Sequence, residues 1–173
     1  MTVLLRSSLL LLLAVATMQA CSPAPTPGPS EDETLRAEVV AALDALAADL
    51  AADRPADAAA YAERLRAYLD AHPAFYGSAV ALLDEADKVT ASPYVYRTDA
   101  GHATLDLAIP SYDIDTQEWV TAPLAANAGV WTDPYFDAGG GEIWMVTRSV
   151  PVHDVEDVFA LVTTDLPVDA PAR

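Results

Sequence analysis

Between Gly129 and Thr147 the chain reads GVWTDPYFDAGGGEIWMVT, which sets Trp131, Tyr135 and Trp144 among Asp133, Asp137 and Glu142. Packing alone accounts for the rings and solvent exposure alone accounts for the acids. Their interleaving leaves two readings: a core hairpin with a wet edge, or a pocket for something small and cationic. A further acid, Asp165, ends the apolar run DVFALVTTDL. A carboxylate on a largely buried strand needs a partner, and Arg97, Arg148 or a ligand could serve.

Other chemistries find less support. Asp133, Asp137 and Glu142 flank a Gly-rich loop, but their spacing is not that of a calcium loop. His72, His102 and His153 are scattered, lack zinc spacing and read as surface residues. No phosphate-binding loop, dinucleotide fingerprint, nucleophile elbow or His–Glu metalloprotease motif is present. Lys88, the only lysine, sits in the acidic, loop-like DEADKVT, and Ser78 has no base nearby in sequence. No catalysis, metal or cofactor is expected.

The elements that must position these groups follow from periodicity. Ser30 with Glu33 forms a capping-box pattern, and Leu35, Val39, Leu43, Leu46 and Leu50 recur at helical spacing, predicting a helix over 31–52. Pro55 suits the first position of a second helix with the stripe Tyr61, Leu65 and Leu69; one Pro-kinked helix is the alternative. After His72 the character changes. FYGSAVALL is a strand or a helix end, SPYVYR a strand, TDAGH a turn and ATLDLAI the return strand. TQEWVTAPLAAN reads as a short helix or irregular cover, limited by Pro123. EIWMVTRSV and DVFALVTTDL are the clearest strands. Along the first of them Ile143, Met145, Thr147 and Ser149 share one face, opposite Trp144, Val146 and Arg148, so both faces should be partly covered. The helices would cover one and the Trp119 segment the other. Helices first and strands after give an α+β fold with an antiparallel sheet.

The ends carry an address. Arg6 and the apolar run Leu9–Ala16 suit a signal peptide, being shorter than the roughly 20 residues of a membrane span. Ala20 then precedes Cys21, the only cysteine among 173 residues. TMQAC resembles the lipobox of bacterial lipoproteins, with Met18 and Gln19 departing from it, and implies lipidation of Cys21. Plain secretion is the alternative. Prolines at 23, 25, 27 and 29 form an extended stalk. The expected divisions are signal peptide 1–20, linker 21–33, helical segment 34–72, main domain 73–168 and tail 169–173. Ser22 lacks an acidic retention signal, so a bacterial cell-envelope location, including the outer membrane, is permitted. With 26 acids against nine basic residues the net charge is −17. That field disfavours nucleic acid and anionic lipid surfaces as partners and favours cations, although most of these charges also fit a simple solubility role.

From Phe75 to Leu166 the pieces FYGSAVAL, SPYVYR, YDIDTQEWV, VWTDPYFDAGGGEIWMVTRSVPV and FALVTTDL follow one another in the order of the Cache domain, an extracytoplasmic PAS-like sensor module, which the chain resembles. The resemblance implies a PAS-like antiparallel sheet of about five strands with a long N-terminal helical segment on one face. It also implies a small ligand under the loops. Amino-acid-sensing members hold a ligand carboxylate with an arginine and aromatics, and its ammonium with tyrosine and aspartates. Carried over, Tyr112 and Trp119 match the first group and Tyr135, Asp137 and Asp165 the second. Gln117 stands where the arginine is expected, and Val120 where a further ring is expected. A neutral amide cannot clamp a carboxylate as arginine does. The expectation is a pocket for an amine or other small cation, with a standard amino acid less favoured.

Bland readings accompany each residue. Asp137 could cap a turn, Trp119 could lid the core, Trp131 and Trp144 pack, and Arg97 makes a structural ion pair. Because the sequence ends soon after the last strand, at LPVDAPAR, the ligand state is expected to pass to a separate membrane receptor or transporter. The rival reading is a structural or interaction lipoprotein that kept the fold without the ligand.

Overall fold

The computed structural model describes residues 30–155 and 157–171; the predicted signal peptide, Cys21 and nearly all of the Pro-rich linker lie outside them. Helix α1 spans Glu31–Ala52 and begins as its sequence dictates. Ser30 Oγ accepts from the Glu33 backbone N–H at 3.2 Å, and Glu33 Oε2 accepts from the Ser30 N–H at 2.7 Å. Both bonds satisfy donors that a helix start leaves unpaired. The apolar stripe Val39, Leu43, Leu46 and Leu50 is buried.

Helix α2 spans Ala58–Ala71. Pro55 does not open it. Asp57 is the N-cap, its carboxylate accepting from the Ala60 N–H at 2.9 Å, so the capping side chain fixes the start two residues beyond the proline. The two helices are separate, and Arg64 pairs with both Asp49 and Asp53 across their junction.

Eight strands follow, every pair antiparallel: β1 Gly77–Leu83, β2 Val89–Ala91, β3 Pro93–Thr98, β4 Gly101–Asp106, β5 Val130–Trp131, β6 Tyr135–Phe136, β7 Trp144–His153 and β8 Val158–Pro167. The order is β4-β3-β1-β8-β7-β5, with β2 on β1 and β6 on β7. The five strands expected from sequence are the long ones; β2, β5 and β6 have two or three residues, too few for a period-2 signal. Glu142 and Ile143, read as strand, instead lie before β7, Glu142 at the left-handed φ of 56°.

Each face has its own core. Against α1 and α2 lie Val80, Val95, Val146 and Val162, with Phe75 at the crossover into β1. On the opposite face Ala79, Tyr94, Leu107 and Leu161 meet a cover made of a 3-10 turn, Ile114–Thr116, and helix α3, Glu118–Ala126. The cover contributes Tyr112, Ile114, Trp119 and Val120. Pro123 sits inside α3 without ending it; Asn127, left-handed at φ 46°, does so one turn later. The α+β architecture with both faces covered matches the sequence expectation.

Two assignments differ. Among the described residues Arg97 makes no ion pair: its guanidinium donates to the carbonyls of Leu69, His72 and Phe75, at the end of α2 and the entry to β1. Of the histidines only His153 is exposed. His72 is half-buried, its ring stacked on Phe75 at 4.7 Å and its Nδ1 3.1 Å from Glu38 Oε1. His102 is half-buried near Asp70. A helix end on an apolar ring explains the first, and the β4 edge beneath α2 explains the second.

Candidate functional site

Register brings the site together. On β8, Asp165 lies opposite Gly77 of β1 and Thr147 of β7, so alternation sends its side chain toward the α3 face. There Thr147 Oγ1 donates to Asp165 Oδ1 at 2.8 Å, and the Tyr135 hydroxyl stands 2.9 Å from Thr147 Oγ1. Thr147 has one hydroxyl proton. Once that proton points at the carboxylate, Tyr135 must donate to Thr147, giving a relay from Tyr135 through Thr147 to Asp165.

A second relay ends on Asp137. Trp119 Nε1 donates to the Tyr112 hydroxyl at 3.2 Å, and Tyr112 donates to Asp137 Oδ1 at 2.6 Å. Asp137 Oδ2 accepts from the Gly141 N–H at 2.6 Å. The turn-capping reading of Asp137 therefore holds along with its place in the cluster. The loop it organises turns through Gly139 at φ 86° and Glu142 at φ 56°.

Tyr94 of β3 completes the group. Its hydroxyl is wedged between Gly77 and Gly141: a Cβ on Gly77 would stand 2.5 Å from Tyr94 Oη and 2.7 Å from Asp165 Oδ2, and one on Gly141 would stand 3.0 Å from Oη. Only glycine permits this approach. Tyr94 is 1% exposed and its hydroxyl has no hydrogen-bond partner among the described residues. It lies close enough to feel the Asp165 charge without meeting hydrogen-bond geometry. An unpaired buried hydroxyl is costly.

These side chains enclose a cavity of about 10 Å³, near the space one water molecule needs. Tyr112, Trp119, Tyr135, Asp137 and Asp165 all line it, as the sequence reading grouped them. Gln117 does not. Its side-chain amide donates to the Tyr112 carbonyl at 2.9 Å, so it holds the cover in place, because at the N-cap of α3 its side chain folds back along its own turn. Val120 is core. Trp131 packs on the helix side with the Arg36 guanidinium 4.8 Å from its ring centre, and Trp144 meets Phe136 at 6.1 Å. Of the rings in the Gly129–Thr147 stretch, Tyr135 alone lines the cavity. Asp165 has neither Arg97 nor Arg148 as partner: Arg97 caps α2, and Arg148 donates to the Gly129 carbonyl.

Sequence reasoning missed Tyr94, Thr147 and Thr163, which also line the cavity. Alternation in EIWMVTRSV indicated which of its residues share a face, but the sequence does not say which face meets Asp165.

No Lys, Arg or His is among the lining residues. Burial is the main cause that raises the Asp165 carboxyl from 3.8 to about 7; the Thr147 and Tyr94 hydroxyls pull it down, and the Asp137 charge pushes it up. Burial, reinforced by the two carboxylates, also raises Tyr94, Tyr112 and Tyr135. They are neutral donors at physiological pH. The site is thus a small, partly enclosed, acidic chamber with aromatic walls. Larger hollows, an apolar groove of about 610 Å³ between α1 and α2 and an acidic cleft of about 490 Å³ by Asp84 and Asp157, lie open on the surface.

The family described as methyl-accepting chemotaxis protein-like, first PDC sensor domain, matches residues 61–170. Among solved structures the chain is similar to a chain described as a histidine kinase extracellular domain, soHK1S-Z6, with 27% identity and a TM-score of 0.65, covering 78% of this chain and 54% of that one. A second such domain, mmHK1S-Z3, gives 17% identity and a TM-score of 0.63, covering 78% and 52%. The ligand-binding domain of the Campylobacter jejuni chemoreceptor Tlp3, in complex with L-valine, gives 18% identity and a TM-score of 0.60, covering 79% and 54%. The last two show the fold alone. The chain spans about half the length of these structures. No curated protein matches it.

Proposed function

The chain belongs to the methyl-accepting chemotaxis protein-like PDC sensor family, a Cache-type fold, and we propose that it is an extracytoplasmic sensor module that binds an amine or other small cation under α3. One observation carries this reading: a buried chamber with two carboxyls and not one basic side chain on its lining. A zwitterionic amino acid brings a carboxylate that needs a cationic or multiply donating partner. Here Gln117 is turned to the Tyr112 carbonyl and Arg97 is engaged with backbone carbonyls. A cation meets carboxylates and ring faces instead. Tlp3 was solved with L-valine; the lining of this chain supports a different charge class. The role is binding without catalysis.

The experiment is thermal unfolding of the full chain against matched panels of amines and amino acids. At a hundredfold excess over Kd, a ligand stabilises by about 2.7 kcal/mol, a rise of roughly 5–10 °C in Tm at this size. We expect amines to produce it. Stabilisation by amino acids alone would reject the reading.

The fold neighbours include extracellular kinase and chemoreceptor domains, which supports a readout through a membrane protein. The TMQAC motif supports a lipid anchor at Cys21 in the cell envelope. Mass spectrometry of the protein from a bacterial membrane should find an N-terminal acylated cysteine, lost in Cys21→Ser; an unmodified N-terminus elsewhere would exclude the anchor. The rival, a structural lipoprotein with its pocket filled, draws on the small size of the chamber. It predicts no stabilisation by any small solute.

A further inference from the structure

Two features of the chamber bear on the size of its occupant, and they rest on the cation-binding reading above. Its volume is about 10 Å³, and its walls are pinned. Tyr112 is held by Asp137 and Trp119, Tyr135 by Thr147, and Tyr94 is wedged between Gly77 and Gly141. Widening the chamber means breaking buried hydrogen bonds that water does not replace.

We propose that the occupant is a water-sized monocation, ammonium itself, held between the Asp165 carboxylate and the Tyr94 hydroxyl. Asp165 Oδ1 already accepts from Thr147, which leaves Oδ2. Oδ2 and Tyr94 Oη both stand beside Gly77. The hydroxyl, which meets no hydrogen-bond partner among the described residues, accepts one N–H; the carboxylate accepts another and supplies the charge. Water fits the same space but cannot offset a second buried negative charge. The surrounding rings add cation–π attraction on the remaining sides. Tyr94 is thus both a contact and the residue that limits ligand size.

Below about pH 7 binding exchanges the Asp165 proton for the cation. The ionisable groups around Asp165 are Tyr68 from α2, Tyr76 ahead of β1, Tyr94 on β3, Tyr112 on the cover, Tyr135 on β6 and Asp137 in the following loop. None is basic, so no resident cation competes. With the carboxyl at about 7, affinity rises about tenfold per pH unit below that value and levels off above it.

The test is thermal unfolding of the full chain at pH 8 with ammonium, methylammonium, butylammonium, tetramethylammonium, sodium and potassium chlorides at matched ionic strength, together with L-valine. Ammonium should raise Tm, and the other solutes, methylammonium included, should not. Tyr94→Phe, which removes the acceptor and keeps the ring, should weaken ammonium binding about tenfold; Tyr94→Ala should shift the response to butylammonium. If Tyr94→Ala does not fold, Tyr94→Phe decides the role of the hydroxyl. Binding of the large amines without ammonium overturns the size limit and leaves the amine reading standing. Potassium acting as well as ammonium overturns the ammonium assignment. A response to L-valine alone, or to no solute, overturns both.

Discussion

Asp165→Asn is expected to abolish cation binding, by a hundredfold or more, and to make the unliganded protein more stable at pH 8. The two effects share one cause. In the folded chain the Asp165 carboxyl is raised to about 7 from 3.8. Between those values the folded state keeps a proton that the unfolded chain has lost. The contribution of this group is therefore full below about pH 4, falls as pH rises through the window, and is gone above about 7. At about 1.4 kcal/mol per pH unit, the wild type loses on the order of 4 kcal/mol across it. Asparagine preserves the acceptor for Thr147 and carries no charge, so its curve lacks this slope. The check is urea unfolding of both full-length proteins from pH 4 to 8, read as the difference between them. Curves that stay parallel would show that Asp165 ionises freely. A variant less stable than wild type at pH 8 would show that the carboxylate has a resident counter-charge. Such an exchange of stability for a binding function is common at sites that carry strain.

Arg97→Ala is expected to cost about 3 kcal/mol, and Arg97→Lys to recover only part of it. The guanidinium donates Nε to the Phe75 carbonyl at 2.8 Å, and Nη2 to the carbonyls of Leu69 and His72. Leu69 and His72 are the final turn and C-cap of α2, where a positive charge also meets the helix dipole. The Leu69 and His72 carbonyls already accept one backbone bond each, which limits the loss. Charged hydrogen bonds are worth roughly 1.5–3 kcal/mol apiece, and lysine lacks the planar fork that reaches several acceptors. Phe75 is two residues before Gly77, so loosening this junction should also weaken ligand binding. Urea unfolding measures the first effect. An unchanged midpoint would mean that the carbonyls are served equally well by water.

The sequence reading succeeded where the signal is local. The Ser30–Glu33 box and the spacing of Val39, Leu43 and Leu50 specify α1 without reference to anything distant. Long strands announce themselves through Val, Ile, Thr and aromatic residues. Pro55 misled because a capping side chain two residues later, Asp57, outweighs the general fitness of proline at a first turn. The two-residue strands β5 and β6 exist only through their pairing with β7, so no periodicity marks them.

At the site the divide runs between residue type and register. Asp137 and Asp165 were legible as acids in apolar company. Their convergence depends on Thr147 pairing with Asp165 and on Gly77 lying opposite, which no local pattern encodes. Gln117 was placed by its position in a motif, but the fold-back of its side chain onto Tyr112 decides its role. Tyr94 was read as an ordinary strand tyrosine. Its use becomes visible only when two glycines from distant segments close on its hydroxyl.

The account rests on an Asp165 carboxyl that burial raises to about 7 and that gives up its proton to a cation. The carboxyl-carbon NMR shift of Asp165, followed from pH 4 to 9 in the full chain with and without saturating ammonium chloride, measures this directly. The account predicts a midpoint near 7 without ammonium and a fall of at least about one unit with it. A midpoint near 4 in the free protein, or one that ammonium leaves in place, would contradict it.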